Sequence, residues 1–222
     1  VRSVNRRGKY IVITLDPDTL IIHLKMTGRL YVVPDGTGHD ADRWVHFTFQ
    51  LDNARQLRFS DSRKFGRVYL VADPAEVVGS LGPEPLEETF TLDVFRTRIA
   101  ERRGQIKPLI TNQQFLAGIG NIYADEALFA SRIHPKRPAD TLSDDDIARL
   151  YAAIRSVLLD GIAREGASVN WYRKPDGTQG SAQDRLQVYG RAGEPCPRCG
   201  RPIERIVVGQ RGTYLCTACQ TR

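Results

Sequence analysis

All four cysteines of the chain fall within its last 27 residues, at Cys196, Cys199, Cys216 and Cys219. Their spacing, C-x2-C-x16-C-x2-C, makes two knuckles that each offer a pair of thiolates to one tetrahedral Zn²⁺. Pro195 and Gly200 flank the first knuckle, Tyr214 precedes the second, and "RPIERIVVGQRGTYLC" between them reads as a β-hairpin turning near 209–212. Four protein ligands leave no open coordination position for a catalytic water, so one structural zinc is expected. Two disulfides or a redox pair are the competing readings. A disulfide framework would not confine every cysteine to two knuckles. A redox C-x2-C belongs in a βαβ unit, which the surrounding residues do not supply.

Further back, the chain changes character twice. Residues 1–72 are rich in β-branched and aromatic residues, and "KYIVITL", "TLIIHLKM", "RLYVV", "RWVHFTFQL", "RQLRFSD" and "FGRVYLV" read as six strands. Turn signals at 16–18, 34–36 and 52–53 separate them, and the lack of intervening helices predicts an antiparallel β-sandwich. Residues 73–89 read as a Pro-rich linker. From Phe90 the period becomes helical: "FTLDVFRTRIAER", "IKPLITNQQFLA", a glycine turn feeding "NIYADEALFASR", and a long helix capped by Ser143 over 142–165. Residues 166–184 form a polar glycine-rich stretch too long for a mere connection. The cysteine module follows over 186–222. The expected class is therefore α+β multidomain: a sandwich (1–72), a linker (73–89), a helical domain (90–185) and a zinc finger (186–222).

The net charge is +6 and the pI about 9.3. From Arg164 onward ten Lys/Arg face five Asp/Glu, so the tail carries most of the excess. That balance points to a polyanionic partner, because basic side chains release counterions from phosphate. No run of apolar residues is long enough for a membrane span, and no signal peptide is visible.

Several separated motifs then agree with one family. "GIGNIYADEALF" resembles the helix-two-turn-helix signature of the formamidopyrimidine-DNA glycosylase and endonuclease VIII superfamily, and "LQVYGRAGEPCPRCG" with "QRGTYLCTAC" resembles its zinc finger. "RRGKY", "LIIHLKMTGRL", "DSRKFGR" and "LGPEPL" stand in the family's order, so the resemblance covers the whole chain. "DSRKFG" and the long glycine-rich loop favour the formamidopyrimidine-DNA glycosylase branch. The fold it implies is a β-sandwich, then a helix-two-turn-helix domain with a C-terminal zinc finger, the two domains flanking a DNA cleft.

The implied activity is base-excision repair of damaged double-stranded DNA: removal of oxidised purines, then nicking of the abasic site by β,δ-elimination. The base must be flipped out before its glycosidic bond is reachable. Lys9 matches the lysine that acts around β-elimination, and Arg211, at the hairpin tip, the arginine tied to δ-elimination and phosphate binding. Arginine is a poor proton donor, so clamping a phosphate suits Arg211 better than acid catalysis. Met26, Arg63 and Phe65 match the trio that fills the void left by the flipped nucleotide; without the motif, Met26 and Phe65 would read as core. Asn121 is a phosphate contact at a helix start, or else an ordinary N-cap. His23, Arg103, Lys107 and Tyr189 complete the implied DNA contacts. Trp171, Tyr172, Arg173 and Lys174 suit base stacking and phosphate contact, or else helix-end packing. Two departures stand out: Lys25 occupies a position where the family has glycine, and Asp42 one where it has a DNA-contact histidine.

The resemblance further implies a monomer in the bacterial cytoplasm, on the nucleoid when bound to DNA. Family members begin with Pro, whose amine is the nucleophile, and Glu, upstream of the point matched by Val1; an N-terminally truncated chain is thus expected. The rival readings are an endonuclease VIII-type enzyme acting on oxidised pyrimidines, a zinc-dependent DNA-binding protein without catalysis, and a zinc ribbon that binds no DNA.

Overall fold

The computed structural model describes residues 1–38, 42–169, 172–174 and 177–221. By contacts the chain divides into two compact units, 1–79 with 164–183, and 80–163 with 184–222.

The first unit holds β1 (Ser3–Arg7), β2 (Tyr10–Thr14), β3 (Thr19–His23), β4 (Gly28–Pro34), β5 (Val45–Gln50), β6 (Arg55–Asp61), β7 (Arg67–Val71) and a single helical turn, α1 (Ala75–Val78). Two antiparallel sheets form, ordered β1-β2-β3-β7 and β4-β6-β5. Ile13, Leu20 and Ile22 from the first pack on Phe59 from the second, with Leu30, Phe49 and Leu57 around them. This is the expected sandwich, with one strand more than the sequence suggests. Strand β1, "SVNRR", is an edge strand paired only to β2 and almost wholly exposed, so it shows no apolar alternation. One rung of the four-stranded sheet runs Arg7–Tyr10–His23–Arg67 across all four strands. Most of the site residues of this unit cluster at that end.

Segment 164–183 closes on itself: Ser181 N donates to Arg164 O (2.9 Å) and Ala182 N to Gly166 O (3.1 Å). The expected division placed this loop with the helices; its contacts group it with the strands.

The second unit contains α2 (Leu92–Ala100), α3 (Ile106–Thr111), α4 (Asn121–Ala130), α5 (Asp144–Ala163) and the hairpin β8 (Glu204–Val208)–β9 (Arg211–Leu215). Phe90, Phe95, Ile99, Ile106, Leu116, Leu128 and Leu150 belong to one buried cluster spanning the helices. Ser143 caps α5 as expected, accepting from Asp146 N (3.2 Å) while Asp146 Oδ2 accepts from Ser143 N (3.1 Å). Helix α3 is half the expected length. Asn112 Oδ1 accepts from Gln114 N (3.0 Å), a local turn that competes with the helix. The supposed linker is itself packed on this unit from residue 80: Gly82 N reaches Gln113 O (2.8 Å), and Ala117 N reaches Pro83 O (3.0 Å).

Candidate nucleic-acid interface and metal centre

In the strand unit, two loops meet over one carboxylate. Asp61, at the end of β6, is fully buried. Its Oδ2 accepts from Gly66 N (2.7 Å), and its Oδ1 from Arg63 N (3.2 Å) and the Thr27 hydroxyl. Burial alone would raise its pKa, but these donors outweigh it and hold the carboxyl below the ordinary 3.8. Asp61 thereby shapes the β6–β7 loop carrying Arg63 and Phe65. Through Thr27 it also ties in the β3–β4 loop carrying Met26. Arg67 adds three donations to the carbonyls of Lys64, Phe65 and Gly66.

The result is an exposed trio. Met26 is 64% and Phe65 46% exposed. The Arg63 guanidinium lies 4.6 Å over the Phe65 ring and 3.6 Å from Met26 Sδ. At these exposures neither side chain belongs to the core, so a core role for Met26 and Phe65 is excluded. Both loops pass through the left-handed region just beside the trio, at Lys25 (φ 53°) and Lys64 (φ 57°). The glycine that the resemblance implies at the position of Lys25 would adopt this φ without strain.

His23 ends β3 at the four-strand rung. Its Nδ1 accepts from Lys25 N (2.9 Å), and its ring meets Tyr10 edge-on at 4.6 Å. Burial, then the charges of Lys25 and Lys9, lower its pKa to about 4. At neutral pH the imidazole is uncharged and carries its proton on Nε2 as a neutral donor. Lys9 is exposed on the β1–β2 turn, close enough to act on His23. Asp42, at the family's histidine position, is an acceptor hub for Tyr31 Oη (2.7 Å), Ser60 Oγ (2.9 Å) and Trp44 N (3.0 Å). It pins the sheet. In the 166–184 loop, Tyr172 packs over Gly166 and Lys174 pairs with Glu165 at 2.9 Å; Trp171 lies outside the described residues.

In the helical unit, the glycine turn before α4 is held by Gln113. Its Nε2 donates to Thr111 O and Ile119 O (both 2.9 Å), and its Oε1 accepts from Gly118 N (3.0 Å). The N-cap of α4 is Gly120; Asn121 is the first helical residue, so the simple cap reading fails. Instead Asn121 Nδ2 donates to Gly212 O (2.9 Å), at the hairpin tip.

Lys107 converges on the same hairpin. Its Nζ lies 2.6 Å from Thr213 Oγ1, 3.3 Å from Gly212 O and 2.6 Å from Asp125 Oδ1. It is only 1% exposed. This ammonium is engaged in the interior, where it fixes the hairpin. Burial pushes Asp125 up to about 6 and Lys107 below its usual value, each against the pull of its partner. Asp125 Oδ2 accepts from Tyr214 N (2.9 Å). Its neighbour Glu126 accepts from the backbone N–H of Gln187 (2.8 Å), Val188 (3.0 Å) and Tyr189 (2.9 Å). Two consecutive carboxylates of α4 thus dock the cysteine module. The Tyr189 ring packs on Tyr214 at 5.0 Å, half-buried. Arg211 and Arg103 are exposed. Arg211 opens β9 beside a turn in which Gly209 and Gln210 both have positive φ (54° and 61°), as a two-residue hairpin loop requires. Asp61, Gln113, Asp125 and Glu126 escaped the sequence reading. The available signals were an Asp heading a Gly-ended turn and an acidic pair inside an apolar helix.

The four cysteine sulfurs lie within 4.8 Å of one another, with Cys196–Cys219 at 3.9 Å and Cys199–Cys216 at 3.5 Å. A tetrahedron with Zn–S near 2.3 Å has sulfurs about 3.8 Å apart, so the cluster fits zinc.

Known proteins agree with this arrangement. Residues 1–68 match the formamidopyrimidine-DNA glycosylase N-terminal domain, 81–173 its H2TH domain, and 193–222 the zinc finger found in FPG and IleRS. A formamidopyrimidine-DNA glycosylase of Herpetosiphon aurantiacus is 49% identical over 99% of this chain and 81% of its own length. The crystal structure of MutM (FPG) from Thermus thermophilus superposes with a TM-score of 0.89 at 42% identity, over 98% of this chain and 82% of that one. Lactococcus lactis FPG, solved with Fapy-dG-containing DNA, gives 0.91 at 34% identity, over 100% and 82%. The chain belongs to the formamidopyrimidine-DNA glycosylase family.

Proposed function

We propose that this protein is a base-excision glycosylase that removes oxidised purines and cleaves the resulting abasic site. The observation that carries the reading is the exposed Met26–Arg63–Phe65 trio, held by a buried carboxylate. Flipping a nucleotide leaves a hole in the stack, and an apolar wedge with a polar partner for the orphan base fills it. Met26 and Phe65 supply the wedge, and Arg63 the hydrogen bond to the orphan base.

The chemistry runs through an amine. The amine attacks C1′ as the base departs, and the opened sugar becomes a Schiff base. Loss of the C2′ proton expels the 3′-phosphate, and a second elimination expels the 5′-phosphate. Lys9 stabilises a departing phosphate on the strand unit, and His23 donates to the backbone from Nε2. On the helical unit, Arg211 clamps a phosphate, while Asn121 and Lys107 hold the hairpin from which it reaches. Arg103 and Tyr189 are further DNA contacts. One Zn²⁺ on Cys196, Cys199, Cys216 and Cys219 keeps the hairpin folded and takes no part in the chemistry. The protein works as a monomer on the bacterial nucleoid; among the described residues no helix is long and apolar enough to cross a membrane.

The test is binding to a duplex with a tetrahydrofuran abasic analogue against an undamaged duplex, together with borohydride trapping on abasic DNA. Trapping uses protein that carries the family's Pro-Glu start. Phe65→Ala is expected to cut the preference for the abasic duplex at least tenfold, and protein carrying the family's Pro-Glu start to cross-link. If Phe65→Ala leaves the preference intact, the trio is not a wedge. If folded, zinc-loaded protein with that start forms no adduct, the enzymatic reading fails.

A further inference from the structure

A second group of cations lies at the far end of α4. The helix has ten residues and therefore rises about 15 Å between its ends. Asn121 and the hairpin tip are at its start; just past its end opens a cavity of about 670 Å³, lined by Arg132, Arg149, Arg198, Ala218, Cys219 and Thr221. None of these residues has a role in the proposed DNA contacts, and among the described residues no acidic side chain lines the cavity.

The three arginines come from three elements and are held differently. Arg198, in the first cysteine knuckle, lies 4.2 Å over the Phe129 ring and donates to Phe129 O (2.6 Å) and Ala130 O (3.1 Å). These two bonds to the last carbonyls of α4, with the ring beneath, fix the plane of its guanidinium. Arg149, on α5, donates to the Asp146 carboxylate, which Arg137 also holds at 2.8 Å. One carboxylate thus faces two arginines and neutralises only one. Arg132 is exposed and has φ 63°, at the position after the α4 C-cap where glycine is usual. Arg132 N reaches Phe129 O (3.1 Å) and Ile133 N reaches Leu128 O (3.0 Å), so the backbone closes the helix whatever side chain it carries. A strained arginine where glycine would serve directs attention to the side chain itself.

We propose that this cavity binds a phosphate group, as free phosphate or the monoester of a small ligand, independently of the DNA-contact face. Arg132 brings its guanidinium fork, while Arg149 and Arg198, whose Nη atoms already donate to Asp146 and to the Phe129 and Ala130 carbonyls, add their charge and remaining N–H groups; cations from three elements suit a phosphate dianion better than a singly charged carboxylate. The volume is in the range of small-ligand sites. The competing use of these arginines is to offset the net −2 of a zinc–tetrathiolate centre, since Cys219 lines the cavity. That use predicts a change in zinc affinity on mutation and no response to phosphate.

The experiment is titration of the zinc-loaded chain with inorganic phosphate at constant ionic strength, chloride as the balancing anion, following thermal midpoint and arginine Nε–H resonances. Phosphate is expected to raise the midpoint and to shift Arg132 and Arg198. Arg132→Gly, which relieves the backbone strain and so folds at least as well, is expected to weaken phosphate at least tenfold. Arg132→Gln, which retains the strain, should do the same, and both should leave duplex affinity within twofold. A second arm repeats the titration with deoxynucleoside 5′-monophosphate and with saturating duplex. Equal or tighter binding of the nucleotide identifies a monoester ligand, weaker binding identifies free phosphate, and displacement by duplex overturns independence from the DNA face. Absence of any phosphate effect beyond chloride, or an unchanged effect in Arg132→Gly, overturns the proposal.

Discussion

Asp61 in the strand unit and Asp125 in the helical unit are both completely buried, and each holds the loop from which site residues project. They do so with opposite electrostatics. Asp61 is met by neutral donors, two backbone N–H groups and a hydroxyl, which favour the anion and draw its pKa down despite burial. Asp125 is met by one backbone N–H and one equally buried ammonium, and for both members of that pair desolvation outweighs attraction. A carboxylate dressed in hydrogen bonds is a stable anchor. A buried ion pair holds geometry at a net cost, and is damaged most when one partner alone is lost. The loops follow suit: the strand unit presents its trio on short self-contained turns, whereas the helical unit borrows a zinc-folded hairpin and must clamp it to α4.

The largest test of this contrast is removal of the metal. Structural zinc supplies about 10–16 kcal/mol in small zinc modules. Chelation is expected to unfold 193–221 and release Arg211, while the sandwich and its trio persist. Amide exchange would show lost protection at Tyr214 with Gly66 unchanged. Equal loss at both would mean that the units do not fold separately.

Next in size is Lys107→Met, which leaves Asp125 buried without its cation. A loss of about 3–5 kcal/mol is expected in chemical denaturation. Replacing both partners, Lys107→Met with Asp125→Leu, should recover much of it; if the double variant is no better than the single, the pair contributes more than it costs.

Asp61→Asn removes a charged acceptor from three donors and is expected to cost about 2–3 kcal/mol. It should also weaken discrimination of abasic DNA, although Asp61 itself faces away from solvent. The same two carboxylates should separate by pH. Asp61, held below 3.8, contributes stability that is complete above that value and lost as the pH falls through its lower folded pKa. Asp125, raised from 3.8 to about 6, binds its proton more readily when folded, so the helical unit gains stability as the pH falls from about 6 toward 3.8. In an NMR titration the Tyr214 amide should therefore move near pH 6 while the Gly66 amide stays flat. A flat Tyr214 amide from pH 4 to 8 would show that Lys107 keeps Asp125 ionised, and the contrast would collapse.

The smallest effect is Lys25→Gly. Relief of the left-handed strain, offset by the entropy of glycine in the unfolded chain, should stabilise by up to about 1 kcal/mol. Any loss of DNA affinity in this variant would assign Lys25 a contact of its own.

Much of this is legible in the sequence alone. The cysteine spacing predicts the metal cluster because four ligands on two knuckles are a local pattern. Runs of β-branched and aromatic residues separated by turn signals over 9–71 predict the sandwich, and Ser143 the start of α5, because composition, turns and capping are properties of neighbouring residues. Strand β1 and the end of α3 were not legible: one is an exposed edge without alternation, and the other is cut by a side-chain turn at Asn112. Motif order placed Met26, Arg63 and Phe65 among the site residues. Only the tertiary structure decided that they stand together in solvent, that Asp61 holds them, and that Lys107 is turned inward. Burial and partnership arise between residues far apart in sequence, 34 positions from Thr27 to Asp61 and 106 from Lys107 to Thr213, and no local pattern records them.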